Sequence, residues 1–301
     1  MFPKIFTGII PALYTCYHED GSVNYKETVR LFQWLCEKGA GGFYLCGSTG
    51  DGLLLTMNER KQIVEAVSQA TDGSIALMVH VGCMSTSDSI ELARHAAGCK
   101  GVQAISSLPP QYYPIPLVDH VKHLSSIARA SDLPFYPYLF SEAVDAHGVP
   151  ALLDAFGQIP NMAGIKAFVH NLAVHQEILI NGPKEWELLH GFDQCLFHAL
   201  CIPGVDGAIG STYNVLPEVA VSIYDSVVKK DFEQAILMQQ RLADYWLTAQ
   251  RGVVLPVGRY ILQKRGFQTG PPRAPLCPPD PELVNQVEQQ VKSNFHGEWI
   301  V

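Results

Sequence analysis

The feature that most constrains this chain is a repeated alternation. Short apolar runs bounded by glycine, proline or polar turn residues take turns with segments of helical spacing, and the unit recurs from Gly8 to about Ile209. The runs are Gly8–Leu13, Gly42–Cys46, Ile75–Val81, Gly101–Ser106, Leu133–Leu139, Met162–Phe168, Trp186–His190 and Val205–Ile209. Between them lie helical patterns such as Tyr25–Glu37, with apolar residues at Val29, Phe32, Leu35 and Cys36, and a helix opened by the capping-box pattern Thr56-Met57-Asn58-Glu59. Strands that are apolar on both faces and joined through helices demand a parallel sheet covered on both sides. Eight such units with short connections predict a (β/α)8 barrel. A doubly wound open sheet is the runner-up, but no G-x-G-x-x-G follows the first strand.

Beyond the eighth strand the pattern turns all-helical at Glu218–Val228, Phe232–Thr248 and Val253–Gln263. A proline-rich connector from Pro271 to Pro281 precedes a last helix near Glu282–Ser293. The division expected is a barrel over residues 1–225 and a C-terminal helical extension over 226–301, packed through apolar positions Ile236, Leu237, Leu242, Trp246 and Leu247. Composition supports a large buried core, with 48% apolar and 17% charged residues in 301. The net charge of −8 argues against nucleic acid or an anionic membrane as main partner. No apolar run approaches a membrane span, and Met1-Phe2-Pro3-Lys4 leads into strand-like sequence without a signal-peptide pattern, so a cytoplasmic location is expected. The eight cysteines form no C-x-x-C and read as reduced thiols, and His120 and His123 read as residues of a solvated helix face.

In a barrel of this kind the reacting groups gather at the C-terminal ends of the strands. Those ends carry Ser48 and Thr49, Tyr112 and Tyr113, Tyr138, Lys166, Asp193 and Ser211. Lys166 stands out because it closes the apolar run Met162-Ala163-Gly164-Ile165. Desolvation there disfavours the ammonium ion and leaves free amine, the form that attacks a ketone. Each group also has an ordinary reading: a lysine with a packed stem and a wet head, a glycine-rich turn at Gly47-Ser48-Thr49-Gly50, a packing tyrosine at Tyr138, an N-cap at Asp193, an interface patch at Tyr112-Tyr113.

The G-S-T-G loop, Tyr138, and Gly164-Ile165-Lys166 with its lysine 28 residues after that tyrosine together resemble the N-acetylneuraminate lyase / dihydrodipicolinate synthase family. The resemblance covers nearly the whole chain. It implies a class I, Schiff-base aldolase on a TIM barrel with a helical C-terminal extension, a carbon–carbon lyase acting on 2-keto acids without metal or cofactor. Gly207-Ala208-Ile209-Gly210-Ser211-Thr212-Tyr213-Asn214 and Gly191-Phe192-Asp193 are similar to the lyase branch, and Ala143 stands where the synthase branch has an arginine. Carried over residue by residue, Lys166 forms the imine, Ser48 and Thr49 hold the carboxylate, and Tyr138 relays protons with Ser48. Tyr112 of a neighbouring subunit completes that relay, and Gly191, Asp193, Gln194 and Ser211 face the sugar tail. A homotetramer, a dimer of dimers, is also implied.

The chain departs from the lyase pattern in three respects. Phe168 replaces a small or hydroxyl residue two after the lysine, and on a strand it shares the lysine's face. Gln194 is neutral where a glutamate is usual, and Asp51 and Leu139-Phe140-Ser141 also differ from the pattern. The expected reaction is cleavage of N-acetylneuraminate, or a related 2-keto-3-deoxy sugar acid, to pyruvate and N-acetylmannosamine or its counterpart. Another synthase or dehydratase of the family, or a non-catalytic keto-acid binder on the same fold, are the alternatives.

Overall fold

The eight apolar runs form eight parallel strands: β1 Gly8–Pro11, β2 Gly42–Leu45, β3 Ala76–His80, β4 Val102–Ser107, β5 Phe135–Phe140, β6 Gly164–Phe168, β7 Glu187–His190 and β8 Val205–Gly210. The structure, a computed structural model, describes residues 2–110, 112–140, 144 and 148–295. Ladders run continuously from β1 through β8 and back down to β2. The ring closes where Ala12 bridges Tyr44, with Leu13 N donating to Tyr44 O at 3.0 Å and Gly41 N to Ile9 O at 2.7 Å. Closure leaves no unpaired sheet edge, and the expected barrel is the observed one.

Around the ring lie α1 Tyr25–Glu37, α2 Met57–Ala70, α3 Thr86–Ala97, α4 Leu117–Ala128, α5 Val149–Phe156, α6 Ala173–Asn181, α7 Leu196–Leu200 and α8 Pro217–Lys229. The capping box at the start of α2 is present: Thr56 accepts from Glu59 N while the Glu59 carboxylate accepts from Thr56 N. Alternation along each strand sorts the side chains. Leu77, Ile105, Ile165 and Leu188 face the helices, whereas Ile10, Met78, Ala104 and Leu189 fill the barrel. The N-terminal mouth is stoppered by Phe6 and Glu187, whose carboxylate accepts from Phe6 N at 3.2 Å and from Tyr136 Oη at 3.0 Å. That plug leaves the C-terminal mouth as the open end.

The extension comprises α9 Phe232–Ala249, α10 Val254–Lys264 and α11 Pro281–Phe295. Residue 225 itself lies inside α8. The packed face of α9 differs from expectation. Ala235, Met238, Gln239, Leu242, Tyr245 and Ala249 are buried, while Ile236, Leu237 and Leu247 are exposed. The apolar positions were too many for one face, and the small residues at 235 and 249 allow the closer approach. His123 is likewise buried rather than solvated, its Nδ1 lying 2.8 Å from Thr86 Oγ1. All eight cysteines are free thiols. Ser141 and Ala143 lie outside the described residues.

Candidate active site

Register assembles the site. In the β5–β6 ladder Tyr138 is level with Lys166 and Phe140 with Phe168, so two residues from each strand face the open mouth side by side. The Lys166 amine lies 4.1 Å from the Tyr138 ring centre and 3.8 Å from that of Tyr44, clamped between two aromatic faces. Both faces favour a cation, yet burial outweighs them and the Asp193 carboxylate, bringing the lysine down from the ordinary 10.5 to about 7. Free amine is therefore abundant at neutral pH. Burial pushes the Tyr138 phenol up, keeping its proton available for donation. Tyr44, whose hydroxyl donates to Ser106 Oγ at 3.1 Å, went unrecognised in the sequence because strand tyrosines are common and only closure of the ring brings β2 opposite β6.

The loop after β2 turns sharply enough that two glycines are indispensable. A Cβ on Gly52 would sit 1.8 Å from Cys46 O, and one on Gly47 2.5 Å from the Tyr44 ring. Ser48 lines the cavity and stays accessible, while Thr49 is buried beside it. The loop is held from behind by Asp51, a buried carboxylate at φ 56° that accepts from Tyr17 Oη at 3.0 Å and Arg259 Nη2 at 2.8 Å. Arg259 reaches in from the extension and also donates to the carbonyls of Thr15 and Thr269. Burial still pushes the Asp51 carboxyl up, against the pull of that guanidinium. The departure at this position thus serves the loop's backing.

Asp193 opens a 3-10 turn, Asp193–Cys195, after β7 and points inward. Its Oδ2 accepts from Thr212 N at 2.8 Å, Thr212 Oγ1 at 2.7 Å and Ser211 Oγ at 3.3 Å. Gly210 leaves room for it, since a Cβ there would lie 2.3 Å from Oδ1. Gln194 is fastened through its backbone carbonyl, which accepts from Gln239 of α9 at 2.9 Å, and its buried Oε1 has no partner among the described residues.

These residues enclose a cavity of about 300 Å³ whose lining includes Ser48, Thr49, Tyr138, Lys166, Phe168, Gly191, Asp193, Gln194 and Ser211. Every site residue expected from the sequence is brought to it except Tyr112, which is 82% exposed on the loop after β4, its ring edge-on to Tyr113. The lining also holds Phe140 of β5, Ile209 of β8, Trp246 of α9, and Val253, Val254 and Leu255 at the start of α10. Trp246 was legible only as an apolar helix residue. Phe168 does point into the mouth, stacked on Phe140 with ring centres 5.1 Å apart and planes 17° apart. Among the described residues, no group of three or more histidine, cysteine or acidic side chains could hold a metal ion.

Residues 5–294 match the family model described as the dihydrodipicolinate synthetase family. The chain belongs to that family. It is 31% identical over 307 residues to an N-acetylneuraminate lyase of Danio rerio, covering 98% of both chains. A lyase of the same name from Pongo abelii is 32% identical over 306 residues, covering 97% of this chain and 94% of the relative. In structure it is similar to a Ruminococcus gnavus sialic acid aldolase solved as a catalytic lysine mutant, with TM-score 0.90, 27% identity, and coverage of 98% of this chain and 99% of that one. As a member of this family the chain is an enzyme, a carbon–carbon lyase of the class I aldolase type.

Proposed function

We propose that this enzyme cleaves a 4-hydroxy-2-keto acid to pyruvate and an aldehyde through an imine on Lys166. N-acetylneuraminate is the substrate that the relatives' names put first, and related 2-keto-3-deoxy sugar acids share its reacting carbons. The observation that carries the reading is the buried Lys166 amine, held near neutrality between Tyr44 and Tyr138 at the open end of the barrel. The amine attacks C2 of the keto acid and water leaves, giving an iminium ion whose charge the two ring faces favour. Ser48 and Thr49 hold the C1 carboxylate with hydroxyls and turn amides. The C4 hydroxyl loses its proton, C3–C4 breaks, and its electrons flow into the iminium as an enamine. The relay of Tyr138 and Ser48 takes up the C4 hydroxyl proton and returns a proton to C3, so no net proton is gained or lost in the cleavage. Protonation at C3 and attack by water then release pyruvate and the free amine.

The barrel, 1–225, supplies the chemistry in this reading, and the extension, 226–301, closes one side of the pocket. The exposed Tyr112 and Tyr113 beside the mouth support completion of the relay by a partner subunit in a homotetramer. No described helix is long and apolar enough to cross a membrane, and we place the enzyme in the cytoplasm. Incubation with pyruvate and sodium borohydride, followed by peptide mapping, tests the mechanism. A stable adduct on Lys166, lost together with turnover in Lys166→Ala, is expected; an adduct elsewhere, or turnover retained by the variant, refutes it.

A further inference from the structure

The same register that puts Lys166 beside Tyr138 dictates what lies past the bond being broken. Phe140 and Phe168 occupy the next inward-facing positions, roughly 6–7 Å further along their strands. An imine carbon at Lys166 has C4 only two bonds away, so atoms beyond C4 run alongside the Phe140–Phe168 stack. The stack is braced on both flanks: Tyr138 meets Phe140 edge-on at 5.8 Å, and Phe192 meets Phe168 edge-on at 5.3 Å. Ile209, Val254 and Leu255 add further apolar surface to the lining.

The paired phenyl rings of this wall offer a polyhydroxylated tail no hydrogen-bonding group of their own. Of the polar groups elsewhere in the lining, Asp193 Oδ2 is engaged by Ser211 and Thr212, which also occupies the Ser211 hydroxyl, while Gln194 Oε1 and Trp246 Nε1 are buried without a partner among the described residues. A sugar hydroxyl buried here without a partner would weaken binding by roughly tenfold or more. A flat aromatic group instead gains ring-to-ring contact with the stack.

We infer that the aldehyde half of the substrate is aromatic, seated against the Phe140–Phe168 wall. This rests on the imine reaction proposed above and narrows its substrate class. The balanced step is a 4-aryl-4-hydroxy-2-oxobutanoate giving an aryl aldehyde and pyruvate: C3–C4 breaks, the C4 hydroxyl proton leaves, and C3 gains a proton.

The test runs in the condensing direction with the full chain. Pyruvate is held in excess, benzaldehyde and N-acetylmannosamine are compared by kcat/KM, and the pyruvate–borohydride adduct is measured on the same preparation. Benzaldehyde should be preferred by at least about tenfold, and Phe168→Ser should reduce that ratio about tenfold. Phe140→Leu serves the same purpose if the serine variant does not fold. An adduct on Lys166 with N-acetylmannosamine used as well as or better than benzaldehyde overturns the aromatic assignment alone, as does a ratio unmoved by the substitution. Absence of the adduct overturns the imine reaction and this inference with it.

Discussion

Lys166→Met isolates the energetic consequence of burying an amine. Methionine keeps the unbranched stem and removes the ionisable group. In the folded protein the amine titrates near about 7 rather than 10.5. Below pH 7 both states carry the proton, and the full penalty of about 5 kcal/mol, at about 1.4 kcal/mol per pH unit, falls on the fold. Between pH 7 and 10.5 the unfolded chain binds the proton and the folded chain does not, so stability rises with pH. Above 10.5 both are neutral and the penalty is gone. The contribution works out at about 4 kcal/mol at pH 7 and about 2 kcal/mol at pH 9. Urea denaturation at equal protein concentration should therefore show Lys166→Met more stable than wild type, with the gap about 2 kcal/mol smaller at pH 9 than at pH 7. The rate of borohydride-trapped pyruvate adduct formation by wild type should climb through pH 7 as free amine appears. A stability gap that does not change between the two pH values refutes burial as depressing the lysine's pKa.

Two further substitutions test what holds the site in place. Asp51→Asn leaves the Arg259 guanidinium buried without its carboxylate and should cost about 3–5 kcal/mol in urea denaturation; a loss under about 1 kcal/mol would show that the loop does not depend on this pair. Glu59, held down to about 2 chiefly by hydrogen bonds from Arg273, contributes stability that is present above the ordinary carboxylate range and lost as pH falls through about 2. Glu59→Gln should accordingly destabilise by roughly 1–3 kcal/mol at pH 6 and by progressively less in acid, and equal losses at pH 6 and pH 3 would contradict this.

The alternation of apolar runs with helical segments was enough to specify the barrel, because strands buried on both faces and separated by helices have few other ways to hide their surface. The burial of Lys166 was legible for a related reason: it closes an apolar strand, and its candidate role came from the family resemblance added to that position. Phe168 could be placed on the lysine's face from strand periodicity alone. What periodicity does not contain is register between strands or closure of the ring. The pairing of Tyr138 with Lys166 and of Phe140 with Phe168, and the approach of Tyr44 to the amine, depend on both. Asp51 reads as a loop residue until Arg259, 208 positions away, arrives from the extension. Trp246 and Leu255 reach the cavity because of how the last helices pack on the barrel. The chain's local pattern determined which elements form and where a buried amine would be; only the packing of distant segments decided what surrounds that amine, because electrostatic environment and pocket shape are set by neighbours in space.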